Sequence, residues 1–422
     1  MADELPGYTE FGTGTFKTEH EFYIRNNKAK PWLTLRLRSR ATETKFLPVY
    51  CDGDSVTGEV VLDLESDEKT KGISFTLRGS ITETGQDEEF FLEKVVDLWK
   101  PPDGASSGVI KKGHHSILIS VPIPSHGTNP RDRQQSFVLP PTFSERASPA
   151  YISYQVSVSL KKGGFTPNRK LASGIAFLPR KVAGRPSPMR ALAYEKGTEL
   201  AGPSEDPTGW NVLPSVTVEG KLYNDRSVTV EYILSVAEPM TFPSNSPLPV
   251  FLTLKSTDKQ ALDLLSVAPD VRLVRTVAIG GPSTERRSNN TFVNAVARAS
   301  FWPREKQGGE HERILQGEVS IPKGAKQSFV ANKVSLSYNL LLMQPKLPGF
   351  EPTSTPGGAI VSQPIEVVSS SVPGVQVRSF LPPGYQEPEA YENFNIATGL
   401  LENGNFRFLH HAGVGSAAGG LG

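Results

Sequence analysis

The chain holds a single cysteine, Cys51, so no internal disulfide can form. That points to a reducing, intracellular setting, because disulfide frameworks belong to oxidising compartments. Long apolar runs are missing too. Residues 250–254 and 340–343 are far short of the roughly 18 residues a membrane helix needs, and they read as buried strands. The opening MADELPGYTE is acidic and lacks the apolar stretch of a signal peptide. The Asn289-Asn290-Thr291 sequon would matter only in a secreted chain. An excess of one charge is also lacking. The 45 Lys and Arg against 44 Asp and Glu leave a net charge of +1, so nothing global draws the chain to nucleic acid or an anionic membrane.

Signatures of catalysis are equally scarce. Cys51 has no histidine near it in sequence and enters a strand beside a turn, which suits a buried structural thiol. His114 and His115 are adjacent, so in a strand they face opposite ways and cannot easily share one metal ion. His410-His411 falls in a glycine-rich terminal stretch. No glycine-rich phosphate loop is present, and Lys161-Lys162-Gly163-Gly164 has hairpin-turn composition. Asp63, Glu65, Asp67 and Glu68 read as a solvated strand end. The expectation is therefore no catalytic residue, no metal and no cofactor.

What the chain has is turn formers and alternation. Its 38 glycines and 35 prolines break it into short elements. Leu33, Leu35 and Leu37 alternate with Thr34, Arg36 and Arg38. Ile73, Phe75 and Leu77 alternate with Ser74, Thr76 and Arg78. Ile117, Ile119 and Val121 follow the same rule, as do Ile152, Tyr154, Val156, Val158 and Leu160. Period two marks strands with one buried face, as two stacked antiparallel sheets require. After residue 181 the alternation lapses, then resumes with Val228, Val230, Tyr232, Leu234 and Val236. Leu248, Val250, Leu252 and Leu254 continue it, as do Val334, Leu336, Tyr338, Leu340 and Leu342. One short helix is predicted between Asp258 and Val267, with Leu262 and Leu265 on one face. The pattern predicts an all-β chain of two consecutive immunoglobulin-like sandwiches. The expected division is a flexible segment over 1–18, a first sandwich over 19–180, a connector over 181–209, a second sandwich over 210–370 and a flexible tail over 371–422.

Several stretches resemble the arrestin family. Gly53-Asp54, then Val56, Gly58, Val60 and Leu62, is similar to that family's glycine-acid turn entering an alternating strand. Gly58 reads there as a bend or bulge. Ile73 to Gly79 looks like the following strand, which also ends in glycine. Phe137-Val-Leu-Pro-Pro141 followed by Ile152, Tyr154 and Val156 resembles the family's "LP … I-x-Y-x-V" region. Ala150-Tyr151 departs from the glycine usual before it. In the second half, residues 227–236, 248–254 and 271–279, with the closing Pro364-Ile365-Glu366-Val367, look like an arrestin C-terminal domain.

Two short motifs sharpen the resemblance toward α-arrestins, the arrestin-related trafficking adaptors. Pro382, Pro383 and Tyr385 spell PPxY, and Leu5, Pro6 and Tyr8 spell its LPxY variant. WW domains take such peptides as polyproline-II ligands, with the prolines in an aromatic groove and the tyrosine in a neighbouring pocket. The alternative for each is plain turn chemistry. The resemblance implies a cytoplasmic adaptor recruited peripherally to plasma membrane or endosomes. It would bind cytoplasmic segments of membrane proteins and bring a WW-domain HECT ubiquitin ligase to them for endocytic trafficking. It also implies that basic residues such as Arg36, Arg38, Arg131 and Arg133 meet acidic or phosphorylated cargo. Ordinary solvated strand faces are the other reading of those arginines. Further alternatives are a retromer-like sorting scaffold without a ligase link, or a β-sandwich carbohydrate-active or carbohydrate-binding protein.

Overall fold

The computed structural model describes residues 16–385, apart from 84, 86, 103–104, 130–133, 146–149, 164–165, 280–289, 305–308 and 355–357. Strand dominates, and two short helices are present among the described residues. The strands form two sets of sheets in series. In the first set, a four-stranded sheet runs in the order Thr18–Arg25, Pro31–Ser39, Ser55–Leu64, Gly113–Pro122. A five-stranded sheet runs Val49–Tyr50, Arg169–Phe177, Ala150–Lys161, Gly72–Glu83, Glu89–Trp99. In the second set, Pro247–Lys255 and Arg226–Ala237 are central to a seven-stranded sheet, and Val334–Met343 and Val271–Ile279 to a six-stranded one. Among the described residues no sheet mixes strands from before Phe177 with strands from after Trp210. Both sets are compatible with sandwich packing.

Period-two alternation explains where the core lies. Leu33, Leu35 and Leu37 are each 0% exposed, while Arg38 on the opposite face is exposed. Tyr154, Val156, Val158 and Leu160 go inward from one strand, and Val230, Tyr232, Leu234 and Val236 from another. Each fully buried leucine or valine contributes about 1.5–3 kcal/mol through removal of apolar surface from water. Most of the buried apolar residues form one continuous cluster that spans both sets, and Ala41, Val49, Ala176 and Leu178 form a second, small one.

Sequence and structure differ in five places. The strand containing Ile73 does not end at Gly79 but runs on to Glu83. Gly58 is no bulge, because its strand keeps register with both neighbours there. A Cβ at that position would lie 1.9 Å from the Arg36 carbonyl oxygen, so glycine is required by close backbone approach. The connector is not wholly irregular. It holds helix α1 (Pro188–Lys196), whose first turn is capped by Ser187 accepting from the Arg190 N–H. Pro188 sits at N1 and Gly197 closes the helix at φ 67°. Helix α2 (Lys259–Leu265) matches the expected one, capped by Asp258 and burying Ala261, Leu262 and Leu265. The first segment is ordered earlier than the expected 1–18 allows: the first strand begins at Thr18, and Phe16 packs 6.1 Å from Tyr50 and beneath the Arg40 guanidinium. The tail expected to start at 371 stays on the body as far as it is described, for reasons given below.

Buried His20 gives the first set an acid sensitivity. The imidazole is 3% exposed, and its Nε2 lies 2.9 Å from Ser39 Oγ. Burial lowers its pKa from the ordinary value of about 6.5. The unfolded chain therefore takes up the proton first as pH falls. The stabilising contribution is complete above pH 6.5 and is lost as pH drops from there to the folded pKa. The expected slope in that window is at most about 1.4 kcal/mol per pH unit. Urea unfolding between pH 5 and 8 checks this. His20→Gln should flatten the slope below pH 6.5, and an unchanged slope would assign it to other groups.

Candidate functional site

The last strand of the second set, Ala359–Val368, hands the chain to a strap over residues 369–385. Its beginning is zipped to the connector. The Ser369 and Ser370 N–H groups both donate to the Lys181 carbonyl at 3.1 Å, and the Ala183 N–H donates to the Ser370 carbonyl at 2.9 Å. Val372, Val375 and Val377 then line a groove with Ala183, Pro186, Arg190 and Tyr194. Arg190 is 4% exposed and donates from Nη1 to the Gly209 carbonyl at 2.8 Å, so the helix under the strap is itself pinned.

Two Pro-Gly turns shape the strap. Val375 N–H closes on the Val372 carbonyl at 3.2 Å with Gly374 at φ 79°. Tyr385 N–H closes on the Pro382 carbonyl at 3.1 Å with Gly384 at φ 90°. Proline second and glycine third with positive φ is the type II pattern. Between the turns, the chain is anchored at Glu318, a carboxylate only 4% exposed on the strand Glu312–Ser320. Ser379 Oγ donates to Glu318 Oε1 at 2.5 Å, and the Phe380 N–H donates to Oε2 at 2.9 Å. The Phe380 ring stacks on Tyr194 at 5.8 Å between centroids. Burial pushes the Tyr194 hydroxyl up to about 12, so it stays neutral. The Tyr385 ring meets Trp302 edge-on at 6.2 Å and remains 43% exposed.

The sequence-predicted site residues are thus distributed unevenly. Pro382, Pro383 and Tyr385 come together as one turn at the end of the strap. Leu5, Pro6 and Tyr8 lie outside the described residues, as do Arg131 and Arg133. Arg36 and Arg38 share one face, but glutamates flank them. Arg36 donates to Glu59 at 2.7 Å and to Glu21 at 3.1 Å, which raises its pKa. Arg38 is 3.8 Å from Glu19 and is the freer of the two. This face is charge-balanced, not cationic. His114 bonds Asp63 at 2.7 Å, and His115 bonds the Lys111 carbonyl at 2.7 Å. Cys51 is buried, which raises its thiol pKa.

A second polar constellation lies at the seam between the sheet sets, and the sequence did not reveal it. Glu145 from the first half receives Arg275 and, at 3.3 Å, Lys326 from the second. Lys326 also donates to the Ser144 carbonyl at 2.7 Å and sits 4.9 Å from the centre of the Phe143 ring. Burial lowers the Lys326 pKa. Lys333 bonds Glu89 at 2.5 Å and Glu83 at 3.3 Å, and Asn129 pairs with Asn332. Phe143 packs edge-on against Phe329 at 5.3 Å. These contacts join the halves through charge as well as apolar surface.

No protein-family model matches the chain, and no curated protein matches it significantly.

Proposed function

We propose that the chain is an α-arrestin-like adaptor. Its two sheet sets would be arrestin-type sandwiches that engage cytoplasmic segments of membrane proteins. Residues 382–385 would recruit a WW-domain HECT ubiquitin ligase, and catalysis would belong to that ligase. The observation that carries the reading is the PPxY tetrapeptide itself, presented on the surface after the last strand with Tyr385 partly exposed. The serial arrangement of two all-β halves supports it. Peripheral recruitment to a membrane suits a chain in which no helix among the described residues is long and apolar enough to cross one.

One short motif buries little area, so a single WW domain should bind the freely accessible motif with a dissociation constant on the order of micromolar, roughly −8 kcal/mol. If residues 5–8 are also a ligand, a tandem of WW domains could hold both, and avidity would rise by about 10². The test is a titration of tandem WW domains against wild type, Tyr385→Ala and Tyr8→Ala. Loss with Tyr385→Ala supports the ligase link, and a smaller loss with Tyr8→Ala supports the second contact. Measurable binding that is equal for all three ends the ligase link.

A further inference from the structure

The same strap suggests how the motif is controlled. We propose that residues 379–385 form a latch, which when docked holds the PPxY segment in a conformation no WW domain can grip. The inference rests on the reading of that segment as a WW ligand and adds its regulation.

A bound PPxY peptide lies extended, with φ near −75° along its polyproline-II stretch. Here Gly384 has φ 90°, and the Tyr385 N–H is folded back onto the Pro382 carbonyl. The backbone would have to unfold this turn to enter a WW groove. The tyrosine ring that a WW pocket would take already rests on Trp302, which is 9% exposed. The docked and the bound states use the same ring and the same backbone, so they exclude each other.

The anchor lies just upstream of the motif. Glu318 accepts from both the Ser379 hydroxyl and the Phe380 N–H, and hydrogen bonds to a carboxylate are stronger than neutral ones. Phe380 adds its stack on Tyr194. None of Ser379, Phe380 and Glu318 belongs to the PPxY tetrapeptide, so the latch can be broken without touching the ligand. Removing the Phe380 ring takes away the stack. A carboxylate at position 379 would face the Glu318 carboxylate, and like charges at that distance repel. A binding-competent state populated only in part lowers apparent affinity by that fraction, so opening the latch must raise it.

The experiment titrates one isolated WW domain against the full chain as wild type, Phe380→Ala and Ser379→Asp, each with and without Tyr385→Ala. Hydrogen exchange at the Phe380 amide reports whether the strap is docked. The expected result is at least about tenfold tighter binding by both opening variants, faster exchange at that amide, and loss of binding once Tyr385→Ala is added. Faster exchange with binding equal to wild type would overturn the latch while leaving the ligand reading intact. Faster exchange with no binding by any variant would overturn the ligand reading, and the latch with it.

Discussion

Gly58→Ala is expected to destabilise the first sheet set by about 4 kcal/mol or more, among the largest effects a single methyl group can have. The added Cβ would stand 1.9 Å from the Arg36 carbonyl oxygen, 2.9 Å from its carbon and 3.1 Å from the Leu37 Cα. All three are backbone atoms of the neighbouring strand, so no rotamer change can relieve the clash. Gly58 also pairs with Ile119 on its other side, which limits how far its own strand can retreat. Leu37, opposite it, and Leu35, opposite Val60, are fully buried and would be dragged out of register. Urea unfolding of the purified variant measures the effect. A loss below about 1 kcal/mol would mean that the strands separate easily and that the close approach is unimportant.

Glu145→Ala is expected to cost about 3–5 kcal/mol, because it strands two cations in a largely desolvated seam. The side chains of Glu145, Arg275 and Lys326 are only 19%, 18% and 19% exposed. Burial already depresses the Lys326 pKa, so loss of its carboxylate partner leaves little to hold its charge. Lys326→Met combined with Glu145→Ala should recover part of the loss, since it removes one of the unpaired charges. Glu93→Ala serves as the contrast. It breaks the Arg78 pair at 2.6 Å, but those side chains are 34% and 49% exposed, so the expected cost is below about 1 kcal/mol. Thermal unfolding of the four proteins checks the order. Equal, small losses for Glu145→Ala and Glu93→Ala would show that the seam is wet.

Strands that bury one face were legible in the sequence because period two records the pleat directly. Leu33, Leu35 and Leu37 illustrate this, as do Leu248, Val250, Leu252 and Leu254, all fully buried. Helix α1 was not legible by periodicity, since its nine residues bury only Arg190, Ala193 and Tyr194. Its signal lay in punctuation: Ser187-Pro188 at the start and Gly197 at the end. The strap was missed for a related reason. Pro373, Gly374, Pro382 and Gly384 look like a disordered tail, and Val372, Val375, Val377 and Phe380 are apolar at irregular intervals. Their spacing follows two turns, not a strand or a helix. The seam could not be read at all. Glu145 and Arg275 are 130 residues apart, and only the folded topology brings them together. At the candidate site, the motif residues were visible as letters. The Glu318 anchor and the Trp302 contact depend on strand pairing, and Ser300 lies opposite Glu318 just as Trp302 lies opposite Gln316.

The adaptor reading stands on whether residues 382–385 are a WW ligand, and that is best asked with the strap already loosened. The measurement is calorimetric titration of one WW domain into full-length Phe380→Ala protein and into the Phe380→Ala, Tyr385→Ala double variant. The expected result is a dissociation constant on the order of micromolar for the first and no measurable binding for the second. Indistinguishable titrations of the two proteins would contradict the account.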